Sequence, residues 1–236
     1  MSTTTTTCDT TTAVTRSLLG YGIIAGPLYV AVSVTQALVR PGFDPTRHAW
    51  SLLANGDWGW IQIANLIVTG LMTVAFAVGL RRCLQSTWAP RLITVYGVSL
   101  VAAGIFRADP ALGFPLGTPA DARNVSWHGA LHLACGAVGF LCLVIGCFVL
   151  ARRLTPGWAT FTRVTGVVFL AAFVGIASGA GSVATTVGFV LAVVLVCAWM
   201  SALAVHLYRT TAPAATPATR DACLTPARSP SRTQSA

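Results

Sequence analysis

Uncharged, mostly apolar runs of about twenty residues, closed by arginines or polar loops, leave this chain few folds to choose from. Each run is long enough to cross the hydrocarbon of a bilayer as an α-helix. Six spans fit, at about residues 18–39, 58–80, 92–106, 127–150, 164–182 and 185–207. The expected fold class is therefore all-α, a polytopic six-transmembrane-helix bundle. Composition agrees, because only 9% of the 236 residues are charged, against about 25% in a typical soluble domain.

The ends of the chain read differently. Residues 1–17 are a Thr-rich polar leader with too little apolar content to fold alone. Residues 209–236 are rich in Pro, Thr, Ala and Arg without periodicity, the pattern of a disordered tail. Between them, residues 18–208 form the transmembrane domain. Its first run is too long for a secretory h-region and lacks a small-residue cleavage site, so it reads as an uncleaved anchor.

All 15 basic residues are arginine and all six acidic ones aspartate, giving a net charge of +9 and a composition like that of a GC-rich bacterial genome. The excess does not imply nucleic acid, because the arginines sit at helix ends and in the tail. With the N-terminus inside, Arg16, Arg81, Arg82, Arg91, Arg152, Arg153, Arg163 and Arg209 flank cytoplasmic ends. Only Arg40, Arg47, Arg107 and Arg123 fall outside. The positive-inside rule then puts both termini in the cytoplasm and the two long loops outside the bacterial inner membrane.

The seven cysteines suggest no disulfide framework. Cys8, Cys83 and Cys223 fall in segments assigned to the cytoplasm, Cys135, Cys142, Cys147 and Cys197 lie within apolar helices, and no pair has CxxC spacing. Small-residue pairs Gly22/Gly26 and Gly175/Gly179 suit close helix packing.

The long loops carry most of the chemistry. In the first, Asp44-Pro45 reads as a helix start and Asn55-Gly56 as its stop, which predicts a short helix at the membrane surface. In the second, three prolines and two glycines between Ala108 and Pro119 exclude regular helix. Ser126 is a natural N-cap for the fourth span, and His128 and His132 follow one turn apart, about 6 Å from each other. Ionisable side chains near bilayer depth are costly to keep and so mark a candidate site.

The residues that gather at this end are Asp44, Arg47, His48, Ser51, Arg107, Asp109, His128 and His132. Their simplest reading is an outward-facing polar pocket for a lipid headgroup or small polar ligand, with no cofactor. The alternative is catalytic. His48, Asp109, His128 and His132 would hold a zinc ion whose bound water attacks a lipid ester or amide. Position 129 is glycine, so the glutamate base of an HExxH metalloprotease is absent. A structural role is the third possibility: arginine–aspartate pairs clamp the loops, while the histidines satisfy loop carbonyls near a helix start. The only partner the residues specify is the bilayer, and they name no reaction.

Several of these motifs occur together in one known family. Gly42-Phe43-Asp44-Pro45, Arg47-His48, Ser51-Leu52 and Gly59-Trp60-Ile61-Gln62 come first. Gly104-Ile105-Phe106, Asp109-Pro110, Gly113-Phe114-Pro115, Gly117, His128-Gly129 and His132 follow. In these features the chain, over about residues 18–208, resembles the bacterial and archaeal membrane family called domain of unknown function 998 (DUF998). That resemblance implies six helices and a site at the long-loop end. It carries no reaction with it.

Overall fold

The computed structural model describes residues 4–84, 86–122, 125–179 and 181–211. Six helices follow in order: α1 (Thr4–Val39), α2 (Gly59–Leu84), α3 (Trp88–Ile105), α4 (Trp127–Ala151), α5 (Pro156–Ala177) and α6 (Val183–Thr210). A short 3-10 helix, Trp50–Ala54, sits in the first long loop. Among the described residues there is no strand, only an isolated bridge between Ala111 and Phe114. All six helices are long and apolar enough to cross a membrane. Lipid offers no partner to a bare amide, so helices that satisfy their own backbone are the form such segments take. The chain is a multi-pass membrane protein.

Each helix packs on its neighbours in sequence, and α1 closes on α6, so the bundle is a ring. Close packing of the ring depends on glycine. A Cβ on Gly70 would lie 2.5 Å from the Gly97 carbonyl oxygen, and one on Gly97 would lie 2.8 Å from that of Gly70. Helices α2 and α3 therefore meet backbone to backbone. The Gly22/Gly26 pair works as expected, with Gly22 facing the Phe76 ring of α2 and Gly26 facing the Cys197 carbonyl of α6. By contrast, Gly175 meets Thr185 only at ordinary contact distance, and Gly179 serves a turn at φ +71°.

Several boundaries differ from the expectation. Helix α1 begins at Thr4 instead of near residue 18. No glycine or proline interrupts residues 4–19, and Thr15 returns its hydroxyl proton to the Thr11 carbonyl at 2.9 Å. Arg16 then fastens the segment to the end of α6, donating to the Thr211 carbonyl at 3.0 Å and lying over the Tyr208 ring. Both described ends of the chain thus share one end of the bundle, opposite the two long loops. Helix α5 begins at Pro156, where the fixed φ suits a first turn, and stops at Ala177 instead of running to residue 182. The expected tail lies outside the described residues except for its first three.

The surface helix between Asp44 and Asn55 does not form as one piece. His48 accepts and donates inside the loop, as described below, and breaks the segment into a turn at residues 45–47 and the 3-10 helix. Instead of floating at the surface, that helix is buried. Trp50, Leu52 and Leu53 pack with Phe114 from the second loop, against Tyr29 and Val30 of α1 and Val190, Val193 and Val194 of α6. The first loop plugs the ring.

Candidate functional site

Arg40, the residue after α1, anchors the plug. Only 9% exposed, it donates from Nη1 to the Leu53 carbonyl at 3.1 Å and from Nη2 to the Asn55 carbonyl at 2.6 Å. Its guanidinium lies over the Phe114 ring. Burial pulls its pKa below the ordinary value, and the nearby Asp57 carboxylate pulls it back up. Asn55 extends the tie, donating from Nδ2 to the carbonyls of Leu52 and Ala108 at 3.2 and 3.0 Å. The two long loops are thereby one unit.

His48 is pinned in the same unit. The Asp44 amide donates to Nδ1 at 2.9 Å, so Nδ1 is unprotonated and the Nε2 proton goes to the Leu112 carbonyl at 3.1 Å. Asp44 itself accepts from the Thr46 amide and hydroxyl at 2.8 and 2.6 Å, and these bonds hold its carboxyl below the usual carboxylate range.

The start of α4 is a relay. Asp109 accepts from the Ser126 amide at 2.8 Å and from its hydroxyl at 2.6 Å. Ser126 in turn accepts from the Gly129 amide at 3.1 Å, the expected N-cap bond. A negative charge at a helix N-terminus is favourable in any case. A Cβ at Gly129 would run into the Asp109 carboxylate, so glycine is required for the carboxylate to sit there.

The two histidines of α4 part company. His128 lies against Trp127 and Phe106, and its Nδ1 is buried without a hydrogen-bond partner. His132, 9% exposed, turns toward the end of α3 and faces the carbonyls of Ala103 and Phe106 from Nδ1, at 3.1 and 2.9 Å. Both partners are acceptors, so Nδ1 carries the proton and Nε2 is left with a lone pair. The imidazole satisfies carbonyls that the last turn of α3 leaves open.

Beneath the plug the ring holds a partly open cavity of about 260 Å³. All six helices and residues Ala49–Ser51 line it, and the wall is mostly apolar. Its depth follows from α4, where lining residues run from His132 to Phe140, about 12 Å along the axis. Lining residues Ala103 and Ile176 lie near the long-loop ends of α3 and α5, while Tyr96 and Met200 lie deeper. Among its few polar groups, Thr69 is 3% exposed and its hydroxyl has no hydrogen-bond partner. No charged side chain lines the cavity.

Of the eight residues singled out in the sequence, only Ser51 and His132 reach the cavity. Asp44, His48 and Asp109 hold the loops together. Arg47 and Arg107 are exposed, and among the described residues neither guanidinium has a hydrogen-bond partner. The arginine–aspartate clamps are replaced by an arginine–carbonyl clamp from Arg40. Nor do His48, Asp109, His128 and His132 converge. Among the described residues no three His, Cys, Asp or Glu side chains are grouped to hold a metal. Both nitrogens of His48 and both oxygens of Asp109 have protein partners.

An uncharged cluster between α1 and α2 escaped the sequence reading. Gln62 Oε1 accepts from Gln36 at 2.8 Å and from Ser33 and Asn65 at 3.3 Å each, while Gln62 Nε2 donates to Ser33 at 3.1 Å. Asn65 also reaches the Tyr29 carbonyl at 3.2 Å. The signal was present as two polar residues three apart within each apolar run, Ser33/Gln36 and Gln62/Asn65. A search confined to charged residues passes over it.

Comparison with curated proteins and with solved structures returns no match. A family model described as "Protein of unknown function (DUF998)" matches residues 23–206, from just past the middle of α1 almost to the end of α6. The match spans the ring, the plug and the cavity together, and the chain belongs to the DUF998 family.

Proposed function

We propose that this protein binds a lipid-like amphiphile, holding its apolar chain inside the helix ring with the polar end toward the long loops. One observation carries the reading: a mostly apolar cavity of about 260 Å³ lined by all six helices, with Ser51 and His132 at its loop end. Water is a poor filler, since it needs two to four polar partners per molecule and this wall offers few. An alkyl chain fits the wall, and the bilayer supplies such chains.

The test uses Gly136. It lines the cavity, and a Cβ there would meet only Phe140, at 4.0 Å, so a larger side chain has room to grow into the void. Wild-type protein purified in mild detergent is expected to carry a bound amphiphile visible by native mass spectrometry. Gly136→Phe is expected to lose it while keeping its fold and thermal stability. Wild-type protein that carries no adduct, or a variant that keeps it, would refute the proposal.

We further propose that the long loops face away from the cytoplasm, in a bacterial cytoplasmic membrane. The support is the arginine distribution, because Arg81, Arg82, Arg91, Arg152 and Arg153 all flank the end that carries both termini. Reporter fusions after Asn55 and after Gly157 are expected to read outside and inside respectively. A cytoplasmic signal at Asn55 would overturn this orientation.

A further inference from the structure

The lining of the cavity also specifies which polar end fits, an inference that rests on the binding reading above. We infer that the ligand is a neutral, single-chain alcohol whose hydroxyl donates a hydrogen bond to Nε2 of His132. The argument starts from the tautomer. Two carbonyls, of Ala103 and Phe106, fix the proton on Nδ1, so the nitrogen left over is an acceptor. An acceptor wants a donor. A carboxylate or phosphate monoester presents only lone pairs to that nitrogen, and a hydroxyl presents a proton.

Charge gives the same answer. An anion taken into an apolar, membrane-depth site needs a cation or several strong donors beside it. Among the described residues no arginine lines the cavity, and Arg40, buried in the plug, spends its guanidinium on the carbonyls of Leu53 and Asn55. The mostly apolar lining takes an alkyl chain, whether straight like a fatty alcohol or branched like an isoprenoid alcohol.

The experiment compares probes of equal length on purified full-length protein, by native mass spectrometry with competition between pairs. The probes are 1-decanol, geraniol, decyl methyl ether and decanoate. At least one of the two alcohols is expected to bind, and to outcompete decyl methyl ether by about tenfold, because the ether leaves the buried acceptor unpaired. Preference for decanol points to an acyl-derived source and preference for geraniol to an isoprenoid one. His132→Asn retains a side-chain N–H for the α3 carbonyls, and its one acceptor, the amide oxygen, sits on a shorter side chain away from the Nε2 position. It is expected to stay folded and to bind alcohol and ether equally. Gly136→Phe is expected to bind neither.

Three results would overturn the inference. If decanoate outcompetes both alcohols, or the ether equals the alcohol on wild-type protein, the cavity binds a chain but the hydroxyl assignment is wrong. If His132→Asn, folded, keeps the tenfold preference, the acceptor is not His132. If no probe binds and no endogenous adduct is present, the binding reading itself falls and this inference falls with it.

Discussion

Replacing Arg40 with methionine is expected to destabilise the protein by about 3–5 kcal/mol and to loosen both long loops. The guanidinium makes two hydrogen bonds to buried carbonyls, at 3.1 and 2.6 Å. Hydrogen bonds to a charged group are worth about 1.5–3 kcal/mol each, and removing the donor leaves both acceptors unpaired in a buried plug. Methionine keeps much of the apolar stem over Phe114, so the loss isolates the polar head. Arg40→Lys is expected to recover little, because a single ammonium lacks the planar fork that reaches two carbonyls at once. Arg47→Met and Arg107→Met serve as controls. Both side chains are exposed, and surface substitutions of this kind stay within about 0.5 kcal/mol. Denaturant unfolding in detergent measures the stability, and protease cleavage within residues 40–58 and 107–122 reports the loosening. Equal stability of the Arg40 and Arg47 variants would show that the plug is held by its apolar cluster alone.

The contrast between these arginines shows which parts of the structure a sequence can carry. Helix number followed from run length, since a bilayer fixes how many apolar residues a span needs. The Ser126 cap and the Gly22/Gly26 contacts were legible for the same kind of reason: each depends on residues a few positions apart on one element. Arg40 and Arg47 look alike in sequence, both lying in the loop just outside the first span. What separates them is whether carbonyls thirteen and fifteen residues away fold back over one of them. That is decided by the plug, and the plug forms only because the ring leaves it a hole to fill.

The histidines teach the same lesson in the other direction. Their count at one end of the bundle was visible, and it suggested convergence on a common ligand. Their partners were not visible, because each is a main-chain group: the Asp44 amide and the Leu112 carbonyl for His48, and the Ala103 and Phe106 carbonyls for His132. A main-chain group has no letter in a sequence. Imidazoles spent on the backbone of loops and helix ends build a rigid rim, and the free nitrogen of His132 is what remains of the site that the motif suggested. The cavity beneath was illegible for a further reason. Its wall is made of ordinary apolar residues from all six helices, none of them unusual for a membrane span.

A sign reversal at Gly129 tests the relay that holds the rim to α4. In the native background Gly129→Ala is expected to destabilise by about 1–2 kcal/mol, although alanine is the better helix former by about 1 kcal/mol. The added methyl would occupy the space of the Asp109 carboxylate, so the carboxylate must leave Ser126 or the loop must shift. Leaving breaks the bonds from the Ser126 amide and hydroxyl, at 2.8 and 2.6 Å. Together, discounted for their exposure, these account for about 2–3 kcal/mol. Asp109→Ala alone is expected to lose the same bonds. In that second background the space is vacant, and Gly129→Ala should then stabilise by up to about 1 kcal/mol through helix propensity. The coupling between the two positions, read from a double-mutant cycle by denaturant unfolding, is expected at about 2–3 kcal/mol, the upper range for residues in contact or in one hydrogen-bond network. A cost for Gly129→Ala that is unchanged by removing Asp109 would show that the glycine is needed for some other contact. The carboxylate would then be a solvated cap, and His128 and His132 would owe their placement to α3 alone.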